Sequence, residues 1–423
     1  MTLILITFIA LNTFFFESVV PHVFHLSLMD VSLLLIIFLS LIKLSLVKTP
    51  LKFTQLDLMI ALWIYYISIV GVYTRYHGPD SRSILREGSI FLYFAAGYYI
   101  TRSTIKDEKS LRLLVNATIG IAVLAGILGV LVGIFPASPL SSFFFGKLPE
   151  NWLIKRAYGV EWITITFPSH ALILFAATLS TITFIYEKRF RYLFITALLT
   201  TIIIGTFTRT LILLVLVMII ISFLITLRSK KWNIKFIFFG LSSMSILIYL
   251  LSYVLMHFVL SESWIPLVMR LSEMGSVQNL FHGTLSVRSE EILAAMDKLK
   301  ETPFFGIGLG TPYITRYVIY SGSVEQTSYI HNAHMGIALK TGLIGFTLFF
   351  LISFVYLKQS VKLLQHINSS YQKKVLITSI IAYVLILIAD MTICIHLLQP
   401  NSFVIGVIFA YTPIIQRLKK LKR

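Results

Sequence analysis

His331 and Asn332 stand nine residues ahead of Gly342-Leu343-Ile344-Gly345, where the long polar segment 261–330 runs into an apolar one. An imidazole changes protonation near neutral pH, so a histidine at that boundary suits proton transfer at a membrane–water interface. At about 100° per residue, a continuous helix would bring Gly342 and Gly345 within roughly 20° and 40° of His331. All three would then share one face, where small residues let a helix or a lipid tail pass close. The plainer alternative is a buried histidine beside a glycine-packed helix contact. His334, one turn further on, is a rival on the same side.

Four arginines offer anion chemistry. Arg209 ends the tight link Gly205-Thr206-Phe207-Thr208-Arg209 between two apolar segments. At membrane depth an arginine costs roughly 2.5–3.5 kcal/mol on insertion scales, so it is expected to face a polar cavity or an anion. Its planar fork fits a phosphate; the alternative is an interfacial arginine that snorkels. Arg288 opens an amphipathic stretch and precedes Glu290 and Glu291, with which a surface arginine would simply pair. Arg156 lies just before the apolar segment 163–186, and Arg86 at the outer end of 84–101. Both could reach a shared anion site; each could equally be a solvated residue.

Other signals narrow the chemistry. Gly306-Ile307-Gly308-Leu309-Gly310 resembles a phosphate loop only in its glycine content, with no strand before it. The six aspartates form no Asp-x-Asp pair, which disfavours a metal-dependent transferase acting on a sugar nucleotide. The single cysteine, Cys394, excludes a disulfide framework and a multi-cysteine metal site. No metal and no cofactor is expected. Asp390, inside an apolar segment, is either a packing group or part of a polar pathway.

The elements that must position these residues are membrane spans. The chain has 423 residues, 57% hydrophobic and 13% charged, with a mean hydropathy of +0.87. Apolar runs of roughly 20 residues recur along its length, which reads as an α-helical membrane protein rather than a barrel of short alternating strands. Twelve segments can be marked, near 3–20, 29–47, 56–74, 84–101, 112–135, 163–186, 191–207, 210–227, 234–260, 332–357, 374–397 and 401–416. The N-terminus lacks a basic signal-peptide region and reads as a retained first span. We therefore expect an all-α polytopic protein of about twelve transmembrane helices, forming a single integral membrane domain over 1–423.

Of the 36 Lys and Arg, 23 fall in the turns after even-numbered segments and in the C-terminal tail. By the positive-inside rule that side is cytoplasmic, with both termini inside. The net charge of +18 is thus mostly topological and calls for no nucleic acid. The segments 75–83, 136–162 and 261–330 fall outside. The last contains an amphipathic helix, about Ser289 to Lys300, with Ile292, Leu293, Met296 and Leu299 on one stripe. It is expected to lie on the outer membrane face as a lid.

His-Asn-x9-Gly-x2-Gly at 331–345, Arg-x3-Leu at 209–213 and an arginine opening a helix in a large loop, Arg288, occur in that order. Together, on about twelve spans, they resemble the O-antigen ligase/polymerase superfamily. The resemblance covers most of the chain by architecture and some forty residues by motif. It implies a membrane glycosyltransferase similar to the GT-C class. Such an enzyme moves a glycan from an undecaprenyl-diphosphate carrier to an acceptor hydroxyl on the outer face of the bacterial inner membrane. It implies His331 as the base, with Arg209, Arg288, Arg156 and Arg86 on the diphosphate, in a metal-independent, inverting reaction. The acceptor is lipid A-core or another terminal acceptor for a ligase, as in lipopolysaccharide biosynthesis. It is a second carrier-linked repeat for a polysaccharide polymerase, as in exopolysaccharide assembly. A transporter or flippase for the same lipid-linked glycan is the alternative of a different class.

Overall fold

The computed structural model describes residues 2–14, 22–23, 26–27, 53–134, 154–157, 160–163, 169–206, 208–227, 234–254, 284–316, 324–327 and 330–421. In chain order its helices are α1 (Thr2–Phe14), α2 (Gln55–Tyr76), α3 (Ser81–Thr104), α4 (Glu108–Ile134), α5 (His170–Glu187) and α6 (Phe190–Ile204). They continue as α7 (Arg209–Leu227), α8 (Ile234–Val254), α9 (Thr284–Glu301), α10 (Ala333–Leu364), α11 (Ser370–Ala389) and α12 (Gln399–Leu421). A helix thus occupies eleven of the twelve apolar segments; 29–47 lies outside the described residues. The twelfth helix, α9, is the amphipathic one in 261–330. Among the described residues, five helices are long and apolar enough to cross a membrane: α2, α4, α5, α10 and α11. The protein is an α-helical membrane protein.

Three antiparallel two-stranded hairpins add to the helices: β1–β2 (His22–Val23, Leu26–Ser27), β3–β4 (Ile154–Ala157, Val160–Ile163) and β5–β6 (Tyr313–Arg316, Val324–Thr327). The apolar pattern gave no sign of them, because strands of two to four residues are too short to carry a periodicity. In β3–β4, Arg156 sits opposite Glu161.

The chain divides into two compact units. One comprises 1–32, 107–275 and 369–385. There α5 runs almost wholly buried from its Ser169 cap, whose side chain accepts from the Leu172 N–H. Two of its threonine hydroxyls turn back onto its own carbonyls, Thr178 onto Leu174 at 2.7 Å and Thr181 onto Ala177 at 2.8 Å. That satisfies polar groups where water is absent.

The other unit comprises 33–106, 276–368 and 386–423. Its α2 starts at a Thr54–Asp57 capping box. Asp57 is fully buried and is also held by the Tyr98 hydroxyl at 2.9 Å and by an ion pair with Arg102. Helices α3 and α12 touch backbone to backbone: a Cβ at Gly97 would overlap the Phe403 carbonyl, and one at Gly406 the Phe94 carbonyl. Small residues are the usual means of such close approach between apolar helices. Ser360 and Thr412 hydrogen-bond at 2.6 Å, tying α10 to α12.

Candidate active site

His331 stands two residues ahead of α10, not on it. Asn332 is the N-cap, its side-chain oxygen accepting from the Met335 N–H at 2.9 Å. The single face expected for His331, Gly342 and Gly345 therefore does not exist. The helix begins after the histidine, and it breaks at Gly342, where φ is +66° and ψ −175°. Helical arithmetic fails across both points.

What fixes His331 is the segment before it. Ile330 is buried in a cluster with Ala295 of α9, Tyr313 of β5 and Leu339 of α10. This packs the α9 face bearing Glu291 against the start of α10. Both Glu291 carboxylate oxygens lie 3.0 Å from His331 Nδ1, and the His331 backbone N–H reaches the same carboxylate at 3.3 Å. The Glu291 side chain is 5% exposed and the His331 side chain 36%. An ionised carboxylate taken out of water needs such donors. Accepting from Nδ1–H, it selects the tautomer in which Nε2 is the basic nitrogen.

Glu291 was not legible as a site residue. It follows Glu290 on a helix whose obvious pattern is the stripe of Ile292, Leu293, Met296 and Leu299. Yet Leu293 and Met296 are exposed, and the packed face carries Glu291 and Ala295. The small pair Ala294-Ala295, one turn beyond an acid, was the available signal: small residues mark where a helix approaches a neighbour closely.

A second support comes from the turn after α11. The Ala333 N–H donates to the Asp390 carbonyl at 2.8 Å, and Asn332 Nδ2 to the Met391 carbonyl at 3.2 Å. Asp390 organises that turn. Its carboxylate accepts from the His396 N–H at 3.0 Å and pairs with His396 Nδ1, both side chains being buried. Asp390 thus holds that turn together. His334 donates Nε2–H to the Leu387 carbonyl at 3.0 Å, and its other ring nitrogen, Nδ1, is buried, so neither nitrogen is open to solvent.

The glycines have backbone work. A Cβ at Gly342 would overlap the Phe304 carbonyl, and one at Gly306 the Leu339 carbonyl. The loop 302–310 enters the break in α10 and satisfies what the break exposes. The Leu343 N–H donates to the Pro303 carbonyl and the Ile307 N–H to the Leu339 carbonyl, both at 2.8 Å. The Tyr66 hydroxyl donates to the Thr341 carbonyl at 2.6 Å. Further along, Leu309 N–H meets Thr74 Oγ1 at 3.1 Å, and Gly310 N–H meets Glu87 at 2.7 Å. Glu87 also takes the buried Lys340 ammonium at 3.0 Å, which in turn donates to the Thr311 carbonyl at 2.6 Å. Gly306–Gly310 is a clasp on a broken helix. Gly345 packs near Tyr66 of α2.

The arginines are placed unevenly. Arg288 is half-buried on α9, about one turn before Glu291. Arg86 is exposed near the start of α3, beside Glu87. That helix begins at Asp80, whose carboxyl is held below the usual carboxylate range by the Ser83 N–H. Arg209 opens α7 and Arg156 lies in β3, both in the other unit, and their side chains fall outside the described ones. The structure joins His331 to Glu291 and sets Arg288 on the same helix as Glu291.

A buried carboxylate holding a partly exposed histidine just ahead of a helix long and apolar enough to cross a membrane belongs to an α-helical membrane protein. Residues 193–350 match the family model described as O-Antigen ligase, so the resemblance to the O-antigen ligase/polymerase superfamily holds over that segment. The match takes in Arg209, Arg288, Glu291, His331, Asn332, Gly342 and Gly345, and leaves out Arg86 and Arg156. No curated protein matches the chain.

Proposed function

We propose that the protein is a membrane glycosyltransferase of the O-antigen ligase type, taking a glycan from an undecaprenyl-diphosphate carrier to an acceptor hydroxyl. The observation that carries this reading is the contact of His331 Nδ1 with both Glu291 oxygens inside the segment matched to that family. His331 Nε2 takes the proton of the acceptor hydroxyl as its oxygen attacks the anomeric carbon. The bond from that carbon to the diphosphate oxygen breaks, and its electron pair leaves on the diphosphate. A diphosphate is already a good leaving group, so a base is needed more than an acid. Arg288 and Arg209, then Arg156 and Arg86, hold the charge that grows on it. Displacement from the opposite face inverts the anomeric centre, without a metal. The reading sets about twelve spans in a GT-C-like arrangement, both termini cytoplasmic and the site extracytoplasmic in the bacterial inner membrane. Ligase-type transfer comes first because the matching family model carries that description.

The test uses purified protein in nanodiscs with a carrier-linked glycan and an acceptor. His331→Ala should lower turnover by about 10²–10⁴-fold, the range for a general base, with donor binding retained. Near-normal turnover would end the role of His331. Product sizing separates one transfer from many, and hence ligase from polymerase. Transport of the lipid-linked glycan with no new glycosidic bond would replace the reading with a flippase.

A further inference from the structure

Helix α9 has three kinds of side. One packs inward through Glu291 and Ala295, both buried. By the helical period, Ile292, Leu293, Met296 and Leu299 share a second side, and Glu290, Asp297 and Glu301 a third. Leu293 is 60% exposed and Met296 45%, so the apolar side is not closed by the chain's own core. Just past the helix end, Phe304 is 63% and Phe305 41% exposed.

The residues just past this helix pack on two helices, α2 and α10, that are long and apolar enough to cross a membrane. Phe305 stacks on Tyr66 and Tyr73 of α2, with ring centroids 6.4 and 5.7 Å apart. The carbonyls of Pro303 and Phe304 receive the N–H groups of Leu343 and Ile344, which begin the second half of α10 and are themselves exposed. Through Phe304 and Phe305, the exposed Leu293 and Met296 of α9 lead toward the exposed apolar surface of these two helices. Lys300 falls within the apolar side by the helical period and reaches back to Asp297 at 2.7 Å, as a snorkelling lysine does, while Lys298 pairs with Glu301 at 2.9 Å.

From this we infer that α9 is an interfacial membrane helix. Leu293, Met296 and Phe304 sit among the acyl chains of the leaflet next to His331, and Asp297 and Glu301 face water. The partner is the lipid bilayer itself, recognised by apolar area on one edge of a helix and charge on the other. One consequence is that Glu291 is delivered to His331 from the membrane surface. The inference does not depend on the proposed chemistry.

The test exploits the single, buried cysteine. In a Cys394→Ala background, single cysteines at 293, 296, 304, 297 and 301 are spin-labelled, and the full chain is placed in phosphatidylcholine nanodiscs. Accessibility to oxygen, which partitions into lipid, is compared with that to a water-soluble nickel chelate. Labels at 293, 296 and 304 should read about 5–10 Å below the headgroup boundary, and those at 297 and 301 should favour the chelate. Equal access of the chelate to both sets overturns the inference. So does shielding of 293, 296 and 304 from both reagents, which means that protein covers the face. Leu293→Trp with bromine-labelled lipid checks the result without a label: quenching of the added emission supports lipid contact, and unquenched emission opposes it.

Discussion

Two histidine–carboxylate pairs lie in the same unit, and they are built for opposite ends. His331 and Glu291 are 40 residues apart and belong to different elements; His396 and Asp390 are six apart in one turn. The carboxylate is buried in both. The histidine is 36% exposed in the first pair and 6% in the second. In the buried pair the ring lies edge-on to Phe349, and the Asp390 carboxylate also holds the His396 N–H. The two pairs share their chemistry, so pairing alone does not mark a catalytic histidine. On the proposed reading, what sets His331 apart is its partial exposure and a carboxylate supplied by an element that arrives from elsewhere in the chain.

The contrast predicts separate failures. His331→Ala should lower kcat by about 10³-fold and leave the thermal midpoint close to the parent, because a half-exposed ring contributes little packing. His396→Ala should do the reverse. It leaves the Asp390 carboxylate buried without its partner, a loss of about 3–5 kcal/mol for such pairs. Thermal unfolding in detergent would show the drop, and turnover per folded molecule should stay close to the parent. If His396→Ala loses turnover with an unchanged midpoint, the two pairs are not the opposites described.

Much of this was legible in the sequence, and the remainder was hidden for physical reasons. Apolar runs betray helices because burial in lipid demands them, and eleven of the twelve segments carry one. His331 stood out because a titratable ring at an apolar boundary is costly unless used. Its position on a helix face did not hold: a cap at Asn332 and a positive φ at Gly342 are local backbone events that no 100° period contains. The glycines of 306–310 looked like a loop without a purpose. Their partner, the break in α10, lies some thirty residues on, and nothing in sequence spacing shows that the two meet. Glu291 was hidden likewise, since a carboxylate beside another on an amphipathic helix reads as solvated until the opposing element is known.

Glu291→Gln sharpens the comparison from the other partner. The amide keeps the shape but carries no charge to stabilise an imidazolium, and it can donate to Nδ1 and favour the wrong tautomer. A kcat loss of about 10²-fold is expected, within the range for acid–base assistance, with the KM for the carrier-linked donor unchanged. Stopped-flow or single-turnover assays separate these terms. A change confined to KM would mean that Glu291 shapes the donor site and does not act through His331.

The smallest expected effect is at Asn332, the residue that ties the two pairs together. Its oxygen caps α10, and its amide nitrogen grips the Met391 carbonyl in the turn held by Asp390 and His396. Asn332→Ala removes both and should cost about 1 kcal/mol of stability, as N-cap losses do. Asn332→Asp keeps the capping oxygen and removes only the donor to Met391. If the buried pair is purely structural, Asn332→Asp should leave kcat near the parent, because Glu291 alone still sets the ring of His331. If instead kcat falls as far as in Glu291→Gln at an unchanged midpoint, the turn built on Asp390 also aims His331. The two pairs would then be one device, with the buried member positioning the exposed one.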